Sequence, residues 1–187
     1  ALSDYQYLNE ALFERVRTVY EGREQLSGED KALVEKYYKN FVRGGANLDG
    51  DEKERMKEIN ETLSLLSLQF GENVLKETNR FELVIDDEDD LKGLPGNSIA
   101  AAAEAAEAKG HGGQWLFTIQ KPSLIPFLQY AENRSLREKM YNAYINMGNH
   151  GDDLDNKEIL VKMANLRLEK ASMLGYAHHA DFVLEKN

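Results

Sequence analysis

The sequence predicts a mainly α-helical chain with one small two-stranded β element. Three observations predict it. Apolar residues recur every three to four positions through most of the chain. Helix start and stop residues bracket those stretches. Only two short segments, about 81–86 and 115–119, change to strand-like runs.

The first amphipathic stretch runs from Asp4 through Leu8, Leu12, Val16 and Val19-Tyr20 to Gly22, which predicts one helix. Ser27 is the expected cap of a second, with Glu29 and Asp30 in its first turn and a stripe of Leu33-Val34, Tyr37-Tyr38 and Phe41-Val42. Arg43 falls in its last turn and Gly44 is the expected left-handed stop. Asp49, with Glu52 at the capping-box position, opens the longest helix, to about Glu77. Met56, Ile59, Leu63, Leu66, Phe70 and Val74 make its stripe, and Leu65, Leu68 and Leu75 widen it, which predicts burial on more than one side.

Phe81–Ile85 then reads as a strand, followed by the acidic run Asp86–Asp90. Pro95 and Ser98 introduce an alanine-rich helix to Lys109, and Trp115–Ile119 is the second strand. Strand, helix and strand over this length suggest a crossover unit, so the strands are expected to pair in parallel. Ser123 is the expected cap of a helix to about Ala131, with Pro126 in its first turn, and Asn133 of one ending by Gly148. Asp155 with Glu158 is expected to cap the helix that Gly175 ends, and a last helix starts near His178. The start at Ala1 and the apolar pattern at the end suggest an excised, internal piece of a larger protein, cut at both ends.

The 187 residues carry 42% hydrophobic and 30% charged side chains, ordinary for a globular domain. A net charge of −10 with no basic cluster argues against a nucleic-acid partner. No apolar run reaches the ~20 residues that span a bilayer. The absence of cysteine removes disulfides and thiolate ligands, and suits a reducing cytoplasm.

Zinc hydrolysis calls for two imidazoles on one helix face, a carboxylate and a third ligand, as the H-E-x-x-H spacing provides. His111, His150, His178 and His179 include no pair four apart, and none is followed by Glu. Adjacent His178 and His179 diverge on a helix, which predicts one solvated and one packed ring; His111 and His150 are expected in exposed loops. Asn47, Asp49, Asp51 and Glu58 match the first, third, fifth and twelfth positions of a calcium loop, but Glu52 stands where the turn needs Gly. The acids of 86–90 and Asp152, Asp153 and Asp155 read as solvated turns. These residues give no catalytic, cofactor-binding or metal site.

Several stretches resemble one family in order along the chain. They are Leu33–Ala46, Leu65–Leu75, Phe117–Gln120 with Pro122, Ser123 and Pro126, Asn133-Arg134 with Leu136-Arg137 and Tyr141, Leu166-Arg167 with Glu169–Ala171, Leu174–Tyr176, and Ala180–Glu185. They are similar to the thimet-oligopeptidase family of zinc metallopeptidases, nearest its bacterial peptidyl-dipeptidase (dipeptidyl carboxypeptidase) branch. The resemblance implies a neurolysin-like helical fold and a parent that binds zinc and cleaves short peptides, releasing C-terminal dipeptides. It places the zinc motif downstream, so no catalytic residue carries over. The chain would then be channel wall in the non-catalytic part. Its partners would be oligopeptide substrates and the missing catalytic half, with exposed apolar surface where that half docks. A stand-alone helical module that binds peptide or calcium is the alternative.

Overall fold

The computed structural model describes residues 2–185. Those residues form nine α-helices and one two-stranded sheet, in two compact units whose boundaries fall within one long helix and near the start of another. Mainly α architecture, as the periodicity predicts, is what is found.

The first unit contains α1 (Leu2–Tyr7), α2 (Glu10–Glu21) and α3 (Gly28–Arg43). It also holds the first part of α4 (Gly50–Arg80), nearly all of α8 (Lys157–Met173), and α9 (His179–Leu184). The stretch expected as one helix from Asp4 to Gly22 is two. Asn9 breaks it, because its Oδ1 accepts the Leu12 N–H at 3.0 Å and starts α2 afresh. Phe13 and Phe41 stack at 5.8 Å, Tyr7 meets Phe41 edge-on, and Tyr20 lies flat on Tyr38 at 3.8 Å. Burying Phe13 and Phe41 stabilises the α2–α3 pair by about 1.5–3 kcal/mol per ring.

The end of α3 differs from expectation. Gly44 stays right-handed at φ −78°, and Gly45 takes the left-handed step at φ +100°. Gly44 is needed for a different reason: a Cβ there would lie 2.5 Å from the Tyr7 Cβ. The Asp49–Glu52 box forms reciprocally, Glu52 N–H to Asp49 Oδ1 at 2.9 Å and Asp49 N–H to Glu52 Oε2 at 3.1 Å. Along α4, Met56 and Ile59 are fully buried, but Leu65, Leu68 and Leu75 are about 60% exposed, against the expectation of broad burial. In α8, Ile159, Met163 and Ala171 are buried while Leu160, Val161 and Leu168 face outward.

The second unit, Leu68–Glu158, holds the rest of α4, β1 (Leu83–Ile85), α5 (Gly96–Ala108), β2 (Trp115–Phe117), α6 (Lys121–Tyr130) and α7 (Arg134–Ile145). The strands are shorter than expected and antiparallel, with Leu83 opposite Phe117 and Ile85 opposite Trp115. The parallel expectation fails because a helix between two strands forces parallel pairing only when its connections do not themselves reverse the chain. Here ten residues precede α5 and six follow it. The core gathers Leu83, Ile85, Ile119, Phe127 and Met140, with Phe117 edge-on to Phe127 at 4.7 Å.

Helix α6 starts earlier than Ser123 suggests. Pro122 fits its first turn, Pro126 falls in the second, and the Ser123 Oγ accepts the Thr118 N–H at 3.0 Å. Asn133 caps α7 as expected, its Oδ1 accepting from Ser135 and Leu136 N–H. Helix α7 ends at Ile145, before Gly148.

Candidate functional site

The four histidines do not assemble. His111 and His150 belong to the second unit, His178 and His179 to the first. His111, expected on the surface, is half-buried, and its backbone N–H donates to Ala106 O at 2.8 Å. His178 caps α9, its Nδ1 accepting the Asp181 N–H at 3.3 Å, and is exposed. His179 is packed, with its ring 6.2 Å from Phe182 and its Nδ1 buried without a hydrogen-bond partner. Burial lowers the His179 pKa, assisted by the nearby charges of Arg167 and Lys170. Among the described residues, no group of three or more His, Cys, Asp or Glu could hold a metal ion. The described residues therefore do not fit a hydrolytic zinc.

The calcium-loop pattern is taken up by helix. Because α4 begins at Gly50, Asp51 and Glu58 lie on it about 10 Å apart along its axis, too far to share one ion. Glu58 instead accepts from Arg55 at 2.9 Å, and Arg55 also forks onto Glu169 at 2.6 and 2.9 Å. The acidic run is exposed over residues 86–89, as expected, and is also ordered by hydrogen bonds. Asp87 Oδ1 accepts the Asp89 N–H, and Asp90 Oδ1 accepts from Asn133 Nδ2 at 2.7 Å.

A polar cluster in the second unit was not legible as a site. Asn73, Glu77 and Arg80 recur along one face of α4, at spacings of four and three residues, and all three grip the loop 146–156. Asn73 Nδ2 donates to Asn156 Oδ1 at 3.0 Å, and Asn156 Nδ2 donates to Phe70 O at 3.3 Å. Glu77, only 4% exposed, accepts the Gly148 N–H on Oε2 and lies 2.9 Å from His150 Nε2 through Oε1. Arg80 reaches Asp152 at 2.8 Å and holds its carboxyl below the usual range. Asp155 accepts the Lys157 N–H at 2.8 Å and the Gly151 N–H at 2.6 Å. Its hydrogen bonds from Lys157 are the main reason that its pKa falls to about 2. A cleft of about 360 Å³ opens beside this cluster, with Phe81, Ile119 and Ala143 as its apolar wall. The helical spacing of Asn73, Glu77 and Arg80 is no signal by itself, because α4 carries many other charged and polar residues.

In the first unit Arg43, expected at a helix end, is buried at 7% exposure. It donates to Tyr176 Oη at 3.1 Å, to Phe182 O at 2.5 Å and to Glu185. The Tyr176 hydroxyl, ahead of Arg43 and Lys39, brings the Glu185 pKa down to about 2. These contacts anchor α9, while the Arg43 Nε is buried without a hydrogen-bond partner. A groove of about 460 Å³ between α2 and α3 is lined by Val16, Val19, Leu33, Val34 and Tyr37, with Arg15 and Asp30 beside them.

Comparison with known proteins decides the family. Residues 127–187 match the sequence model of Peptidase family M3. The chain is similar to the probable cytosolic oligopeptidase A of Arabidopsis thaliana, at 41% identity over 83% of this chain and 23% of the relative. It is similar to oligopeptidase A of Haemophilus influenzae at 36% identity, over 82% of this chain and 23% of the relative. It is also similar to the dipeptidyl carboxypeptidase of Escherichia coli at 34% identity, over 93% of this chain and 26% of the relative. The chain belongs to peptidase family M3. This is the thimet-oligopeptidase family of the sequence reading, with its dipeptidyl carboxypeptidase branch among the relatives. The M3 chain spans about a quarter of the length of those relatives.

Proposed function

We propose that this chain is wall and scaffold in the non-catalytic part of a zinc-dependent oligopeptidase that admits short peptides and releases C-terminal dipeptides. The similarity to oligopeptidase A and dipeptidyl carboxypeptidase over more than four fifths of the chain carries the reading. Two structural features support it. The described residues supply no metal-binding group, so zinc and the reacting water would belong to other residues of the whole protein. Leu65, Leu68, Leu160 and Val161 are each more than half exposed, as suits apolar surface that meets further polypeptide. A helical wall acts by exclusion: a deep channel admits an extended chain and keeps a folded domain from a buried centre. The compartment we propose is the cytoplasm, which a cysteine-free chain suits.

The test compares the purified chain with the whole polypeptide encoded by its gene, on oligopeptides of about ten residues. The whole protein is expected to cleave them, to stop on chelation, and to recover with zinc, while the chain alone is inert. Mass spectrometry of the first products reads the cleavage position. Release of dipeptides from the C terminus supports the peptidyl-dipeptidase activity, whereas internal cuts would replace it with an endopeptidase. Chelator-sensitive turnover by the chain alone would overturn the wall assignment.

A further inference from the structure

We propose that residues 146–156 form a proton-tightened latch, closed on α4 when His150 carries a proton and loosened when it does not. The loop joins α7 to α8, and three side chains of α4 hold it at three heights. Asn73 holds Asn156 at one end, Glu77 holds Gly148 and His150 in the middle, and Arg80 holds Asp152 at the other. The loop also braces itself: Asn156 N–H donates to Gly148 O at 2.7 Å, and Lys157 Nζ to Asn149 Oδ1 at 3.0 Å.

The middle contact is the one that can change. The Glu77 side chain is 6% exposed and held under the loop, whereas the His150 side chain is 44% exposed and open to solvent. With neutral His150, the 2.9 Å approach of Nε2 to Glu77 Oε1 is not an ion pair. With a second proton on the ring, the same contact becomes charge-assisted, shorter and stronger. It then shares the carboxylate with the Gly148 N–H, so tightening it presses the loop backbone onto α4. The charges near the ring are Glu77 and Arg80 from α4, Glu82 before β1, and Asp152 on the loop itself. The end of β2 and helix α7 present only Ile119 and Ala143 to the same cleft. Acids outnumber bases around the imidazole, so the added proton meets net negative surroundings. Gly148 fits the latch sterically: it sits at φ +71°, and a Cβ there would lie 2.9 Å from Asn156 Nδ2.

The latch is independent of what the protein hydrolyses, and the full 187-residue chain tests it. Amide exchange at Gly148 is measured by NMR from about pH 5 to 8, corrected for the intrinsic rate, with the His150 ring titration followed in the same samples. The Gly148 protection factor is expected to rise about two- to fivefold as His150 takes up its proton, the size of a partly exposed ion pair. In H150Q, a surface substitution that keeps a donor, the protection is expected to be flat across this range. E77Q is expected to lower protection at every pH and to remove the step. Protection that does not follow the His150 titration overturns the latch. So does an equal step in H150Q.

Discussion

The Arg43 guanidinium donates to the Phe182 carbonyl at 2.5 Å while its Cζ lies 4.3 Å from the centre of the Phe182 ring. One planar cation thus holds both the backbone and the side chain of α9. Replacing it with Ala would leave the Phe182 carbonyl and the Tyr176 hydroxyl short of a donor. Arg43→Ala is expected to destabilise the chain by roughly 3 kcal/mol. Arg43→Lys is expected to recover less than half, since an ammonium cannot fork onto Glu185, Tyr176 and Phe182 together. Urea denaturation of the three proteins measures both differences.

Gly71 lies inside α4, and a Cβ at that position would meet nothing within 4 Å. Gly71→Ala is therefore expected to stabilise the chain by about 0.5–1 kcal/mol, by reducing the freedom of the unfolded backbone without a clash. A shift of the urea midpoint to higher concentration at constant slope is the expected readout. A loss of stability would show that the helix needs the glycine there.

Asp155 has a folded pKa of about 2 against an ordinary 3.8, caused first by the Lys157 side chain and then by the Lys157 and Gly151 N–H groups. A depressed carboxylate stabilises the fold above its unfolded pKa and loses that contribution as pH falls towards the folded value. Stability is thus expected to drop between about pH 4 and pH 2. In Asp155→Asn the drop is expected to be shallower, because an amide has no proton to gain. Glu185, also brought down to about 2, acts over a similar window and leaves a residual slope. Thermal melts at several pH values across that interval check the difference.

Asn133 caps α7 through Oδ1, which accepts from the Ser135 and Leu136 N–H groups, and its Nδ2 donates to Asp90 at 2.7 Å. Asn133→Ala is expected to cost about 1–2 kcal/mol. Asn133→Asp keeps the cap but sets a carboxylate against Asp90, so it is expected to fall between the two. The same denaturation series reads it.

Much of the fold was legible because helix periodicity and caps act within a few residues of themselves. The Asp49–Glu52 box and the Asn133 cap formed as read. In α3, Phe41 is buried with Tyr38 and Val42 against its cluster, while Leu33 and Tyr37 are exposed. The errors came where a distant contact decides. Strand direction depended on how segment 86–95 runs, which no local period encodes. Ser123 looked like a cap, yet its hydroxyl serves Thr118 while the helix starts at Lys121 with Pro122 in its first turn. Arg43 falls in the last turn of α3 as read, but its burial under α9 has no local sequence signal. Asp152 and Asp155 looked like solvated turn residues, yet they tether the loop through Arg80 and Lys157. The family was legible from ordered short matches, whereas the Glu77 cluster needs residues some seventy positions apart to meet.

The only tryptophan, Trp115, pairs with Ile85 in the sheet of the second unit. Its fluorescence consequently reports on the second unit, while far-ultraviolet circular dichroism averages over every helix. Emission and ellipticity recorded on one denaturation series can therefore act as separate clocks. Superimposed curves would mean that both units melt as one cooperative body, and displaced curves would order their unfolding without any engineered label.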